Sequence, residues 1–112
     1  MAGSVRIGEM DMSETVYTCD EIKQRLQPIF AGHRIRQAIL FGSYSKGTAT
    51  SQSDVDLLVA SNLRGLQFMG LVEELREALS GKDMDVFDIT HIEPTSRIAE
   101  EIKRTGVEIY AR

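Results

Sequence analysis

The sequence predicts an α/β (α+β) fold of order αβαβαβαβ, in which a small mixed β-sheet of about four strands is flanked by helices. Three observations carry this expectation. Short apolar runs of strand type alternate with stretches whose apolar residues recur at helical spacing. Glycines stand at the junctions between them, at positions 32, 42, 81 and 106. Only the link 43–53 separates the first two strand segments, and a parallel crossover needs about a dozen residues or more. That link therefore predicts an antiparallel or splayed pair, and so a mixed sheet rather than a doubly wound parallel one.

The elements follow in order. Residues 1–16 carry Gly3, Gly8 and scattered charges without a sustained period, which reads as a mobile N-terminal arm before a single domain over 17–112. Thr18-Cys-Asp-Glu21 has the form of a capping box, and Ile22, Leu26, Ile29 and Phe30 then place one apolar face on a helix over about 19–31. Pro28 lies inside that pattern and removes a backbone donor, so a kink or an early end near Gln24 to Pro28 is expected, with Gly32 as the stop. Residues 35–41 form the first strand, closed by Gly42. Ser43 to Lys46 suits a short helical turn, and 48–53 is a polar loop. The second strand is Val55 to Ala60. Leu66, Met69, Leu71, Leu75, Ala78 and Leu79 keep helical spacing up to Gly81, making the longest helix. Met84 to Thr90 is the third strand, Pro94 suits the first turn of a helix that ends at Gly106, and Val107 to Tyr110 is the last strand.

Composition narrows the function. A chain of 112 residues with 42% apolar content fits one small soluble domain and excludes a separate substrate lobe. No apolar run approaches the roughly 20 residues of a membrane span, and the first residues lack a secretion signal, so the expected location is cytoplasmic. Cys19 stands alone, which excludes an internal disulfide and a cysteine-based zinc site. The formal net charge of −4 argues against direct nucleic-acid binding, which Lys and Arg drive by neutralising phosphates. Its location is more informative: residues 42–90 carry four basic against eight acidic side chains, while both flanks are neutral.

Three features converge in that acidic segment. Gly42-Ser43 sits where a strand gives way to a helical turn, and outward backbone amides, a bare glycine and a hydroxyl there favour a phosphate. Asp54 and Asp56 enter the second strand on one face, with Cα atoms roughly 6.6–6.8 Å apart. Paired carboxylates on an apolar strand repel each other and lose hydration, so a cation or donor usually offsets them. Asp85, flanked by Met84, Val86 and Phe87, adds a third carboxylate, and three such oxygen donors suit magnesium. Strand parity places Asp83 and Asp85 on one face and Asp88 on the other, which leaves Asp88 as the competitor. His33, His91 and the methionines show no ligand spacing, while Tyr44 and Tyr110 fit packing as well as contact with a ligand.

Gly42-Ser43, the Asp54-x-Asp56 pair ten residues on and the later Asp85 together resemble the minimal nucleotidyltransferase (MNT) domain of the DNA polymerase β-like superfamily. The stretch from Phe41 to Val59 carries the likeness, which extends over about 19–110. The resemblance implies a nucleotidyltransferase fold and two-metal chemistry on ATP. Asp54, Asp56 and Asp85 would hold two Mg2+ ions and Gly42 and Ser43 the β- and γ-phosphates, with Lys46 or Arg64 as helpers. Ser53 would orient Asp54 or simply cap its loop. The resemblance further implies an antitoxin that transfers AMP to a hydroxyl, a tyrosine, of a HEPN ribonuclease toxin in a hetero-oligomer. Two alternatives remain at this stage: masking of the toxin by binding alone, and transfer to a small molecule or an RNA end.

Overall fold

A computed structural model describes residues 15–112. The arm expected over 1–16 lies outside the described residues except at its last two positions. Helix α1 (Cys19–Gly32) opens on the expected capping box: the Thr18 hydroxyl accepts from the Glu21 amide and Glu21 Oε1 accepts from the Thr18 amide. Contrary to the expected early end, α1 runs through Pro28 to Gly32. Pro28 and Gln24, whose carbonyl loses its partner, both lie on the exposed side, where water can replace the bond. Ile22, Leu26 and Phe30 on the opposite side are fully buried and hold the helix to the sheet.

Strand β1 (Gln37–Phe41) leads into the four-residue helix α2 (Ser43–Lys46), and β2 (Val55–Ala60) follows the polar loop. Helix α3 (Leu66–Ala78) then crosses to β3 (Met84–Asp88). The third strand stops two residues short of its expected end, because Asp88 caps a 3-10 turn over Ile89–His91. Helix α4 (Arg97–Thr105) begins after Ser96, whose hydroxyl accepts from the Ala99 amide; this cap sets the start, and Pro94 lies ahead of it. Strand β4 (Val107–Ala111) closes the chain.

The sheet order is β3-β2-β1-β4. β1 pairs antiparallel with both β2 and β4, and β2 pairs parallel with β3, the mixed sheet that the short 43–53 link requires. Alternation gives the sheet two unlike faces. Ala38, Leu40, Val55, Leu57, Val59 and Ile109 join the buried residues of α1 and of α3, Leu71 and Leu75, in one core. Phe41, Asp56, Asp85 and Phe87 share the other face, where α4 lies. Tyr110 packs its ring on Phe30, with centroids 5.4 Å apart, so its role is packing. Among the described residues, no helix is long and apolar enough to cross a membrane.

Candidate active site

The site forms where β1 ends over the start of β2. Gly42 adopts φ 78° and ψ −151°, a region open almost only to glycine. Its neighbour Phe41 is the register partner of Asp56, which brings the Asp56 carboxylate against the turn. A Cβ on Gly42 would stand 2.6 Å from Asp56 Oδ2. Glycine is thus needed twice, for the backbone and for the space. The Gly42 amide donates to Thr105 Oγ1 at 2.9 Å, and that hydroxyl donates to the Glu101 carbonyl at 2.8 Å. The end of α4 is thereby tied to the turn. This one amide is committed within the protein and does not face an anion, unlike the reading from sequence. Ser43 follows at the first position of α2, and Ser45 Oγ donates back to the Gly42 carbonyl.

Asp56 and Asp85 are direct partners in the parallel β2–β3 ladder. Burial first, then the charges of Asp85, Asp54 and Glu101, push the Asp56 carboxyl up from its ordinary 3.8 to about 6. All four influences act in one direction, so the surroundings of this half-buried carboxyl disfavour its charged form. Asp56 and Asp85 line a cleft of about 420 Å3 with Phe41, Phe87, Arg97, Ile98 and Glu101. Asp54, exposed and one residue ahead of β2, lines a second cleft of about 260 Å3 with Ser51, Gln52, Ser53, Gly81, Lys82 and Asp83. Among the described residues, no three His, Cys, Asp or Glu side chains form a ready-made metal-ligand group. The three aspartates instead lie along one edge, close enough for the charges of Asp54 and Asp85 to be felt at Asp56.

Asp85 and Asp88 are placed differently: Asp85 is the register partner of Asp56, and Asp88 that of Val59. Asp88 is buried and points away from Asp56. Its Oδ1 accepts from the Ser61 amide and hydroxyl at 3.1 and 2.7 Å, and its Oδ2 from the Thr90 amide and hydroxyl at 3.1 and 2.5 Å. Burial would raise its pKa, but these four bonds outweigh it and hold the carboxyl below its ordinary value. Asp88 fastens the β2 end to the β3 end. Replacing it with Ala leaves buried donors without partners, at an expected cost of about 2–4 kcal/mol in urea unfolding. Nucleotide affinity of the folded variant should stay unchanged if Asp88 has no place in the site.

The remaining sequence candidates separate. Ser53 Oγ accepts from the Thr50 amide at 3.0 Å and so closes the loop turn ahead of Asp54. Lys46 lines a different pocket, with Tyr17, Cys19, Tyr44 and Ala49. Arg64 lies near Ser61, Asp88 and His91, beyond the opposite end of β2. His33 Nε2 meets Glu74 Oε2 at 3.1 Å and links α1 to α3. Two residues that line the carboxylate cleft went unread in the sequence, Arg97 and Glu101 of α4. Their four-residue spacing puts them on one side of the helix, with Ile98 beside them, but nothing in the sequence says which sheet face that side covers. Glu101 is further paired with Arg104.

The chain belongs to the polymerase beta nucleotidyltransferase family, whose model matches residues 24–112. Over 78 residues it is 37% identical to the Methanocaldococcus jannaschii protein MJ0435, which is named as a protein adenylyltransferase; the match covers 67% of this chain and 82% of that protein. The fold is similar to a chain of a toxin-antitoxin crystal structure with AMP-PNP, with a TM-score of 0.68 at 22% identity, covering 80% of this chain and 73% of that one. It is also similar to a chain of the tri-AMPylated Shewanella oneidensis HEPN toxin in complex with MNT antitoxin, with a TM-score of 0.63 at 18% identity over 83% and 72% of the two chains.

Proposed function

We propose that this protein is a magnesium-dependent adenylyltransferase that moves AMP from ATP to a tyrosine hydroxyl of a HEPN-type ribonuclease and so acts as its cytoplasmic antitoxin. The observation that carries the reading is the Asp56–Asp85 pair beneath Gly42: two register-paired strand carboxylates, with the Asp56 oxygen pressed against a bare backbone turn. Identity to a relative named as a protein adenylyltransferase supports the reaction, and likeness to chains from toxin-antitoxin complexes supports the partner.

Hard oxygen donors and a carboxyl whose neighbours all disfavour its charge fit a divalent cation. Asp56, Asp85 and Asp54 are the residues that would hold it. Bound there, magnesium would neutralise the triphosphate and lower the pKa of the attacking hydroxyl. The protein's own groups do the rest. Gly42 lets the β- and γ-phosphates approach the main chain, and the Ser43 hydroxyl and the amides that follow donate to them. The acceptor oxygen bonds to the α-phosphorus, and the bond from that phosphorus to the oxygen bridging the β-phosphate breaks. Pyrophosphate leaves with the electron pair, and the hydroxyl proton passes to the solvent that Asp85 faces. Positioning and charge compensation supply the acceleration.

A protein that only masked its partner would gain stability by discarding Asp56, whose charge its surroundings oppose. The test is the partner's ribonuclease activity after incubation with magnesium, ATP and this protein. Wild type should silence it, and the Asp54→Ala/Asp56→Ala variant should not. Equal silencing by that variant, without modification of the partner, would establish masking and sink the catalytic reading.

A further inference from the structure

Lys82 is 3% exposed, and lysine is among the residues least often buried. It occupies the turn before β3, behind Gly81. Its ammonium donates to the Ser51 carbonyl at 2.9 Å and stands 5.9 Å from the centre of the Tyr44 ring, within cation–π range. Those two contacts reach separate parts of the site. Ser51 belongs to the loop that presents Asp54 three residues later. Tyr44 is the residue after Ser43 in α2 and is itself buried. Lys82 lies three residues ahead of Asp85 in its own strand segment. Lys82 also lines the second cleft, together with Ser53, Asp54 and Asp83.

We propose that Lys82 is a positioning residue for nucleotidyl transfer: its buried ammonium fastens the 47–54 loop to α2 and to the start of β3, and so holds Asp54 in register with Ser43, Asp56 and Asp85. The strands fix Asp56 and Asp85 through the ladder, but Asp54 sits outside it on a loop whose internal tie is the Thr50–Ser53 turn. An ammonium anchored to the Ser51 carbonyl and set over the Tyr44 ring ties that loop to the body of the domain. The inference rests on the nucleotidyl-transfer reading, because the arrangement it protects is the one that reading uses.

The experiment compares wild type, Lys82→Met, Lys82→Gln and Asp56→Asn by calorimetric titration with magnesium and AMP-PNP, and by amide hydrogen exchange. Lys82→Gln keeps a donor for the Ser51 carbonyl without the charge, which covers the case in which Lys82→Met fails to fold. The folded Lys82 variants should bind AMP-PNP about tenfold or more weakly, the size of a lost charge-assisted contact. Exchange at 47–54 should quicken while α1 stays protected. In turnover, KM for ATP should rise more than kcat falls. A packing role alone would lower thermal stability and leave the affinity of the folded fraction within about twofold of wild type; that result, or unchanged exchange at 47–54, overturns the proposal. Should wild type bind no nucleotide, or Asp56→Asn bind it equally well, the underlying reading fails, and the role of Lys82 with it.

Discussion

Asp56→Asn is expected to abolish transfer and, at the same time, to make the metal-free protein more stable at pH 7–8. The two effects share a cause. With one oxygen replaced by an amide, the edge loses the charge that would hold a cation, and turnover should fall by at least about 10²–10³-fold. The same change removes a carboxylate that burial and the charges of Asp85, Asp54 and Glu101 oppose. A rise from 3.8 to about 6 corresponds to at most about 3 kcal/mol, and screening at this half-open position reduces it to about 1–2 kcal/mol. The sign fixes the pH window. Well below pH 3.8 Asp56 is protonated in the folded and the unfolded chain alike, and wild type and variant should differ little; at pH 4.0 only a small part of the difference has developed. Between pH 4 and 6 the unfolded chain ionises first, and once pH rises through about 6 the folded protein ionises too and bears the full penalty. Urea unfolding in EDTA at pH 4.0 and 7.5 reads the difference. A variant that is equally stable or less stable at the higher pH would contradict the electrostatic account.

Gly42→Ala should be the most damaging change of a single methyl group. The backbone at φ 78° and ψ −151° alone costs a side chain about 1–3 kcal/mol. The new Cβ would also fall 2.6 Å from Asp56 Oδ2, so the carboxylate must move for the variant to fold. Activity should therefore drop by more than the lost stability explains, about 10²-fold in the folded fraction, since small displacements of reacting groups cost that much. Gly47→Ala is the control. Gly47 has the same φ of 78° but a left-handed ψ and nothing within 4 Å of its Cβ position. About 1–2 kcal/mol of stability should be lost there, with transfer kept. Similar activity losses at both glycines would mean that the approach to Asp56 does not matter.

Local rules carried much of this fold. Capping chemistry at Thr18 and Glu21, apolar spacing in α1 and α3, and the short 43–53 link were enough for the element order and the mixed sheet. They failed where one residue answers to distant partners. Pro28 leaves α1 unbroken because Ile22, Leu26 and Phe30 are anchored in the core. β3 ends early because Asp88 reaches across to Ser61. The site divides in the same way. Spacing along the chain singled out Gly42 and the Asp54-x-Asp56 pair as candidates, and the ladder pairs the third candidate, Asp85, with Asp56. Arg97, Glu101, Thr105 and Lys82 stayed unread, because their parts depend on which face α4 covers and on where a buried ammonium ends. Neither is written in local periodicity.

The central claim is that the Asp56–Asp85 edge moves a nucleotidyl group. Its most direct test is the fate of label from ATP in the presence of magnesium and the candidate ribonuclease. Label at the α-phosphate should appear on the ribonuclease and disappear with Asp56→Asn, while label at the γ-phosphate should leave entirely in pyrophosphate. Transfer of the γ-label, or α-label that persists in Asp56→Asn, would contradict the account.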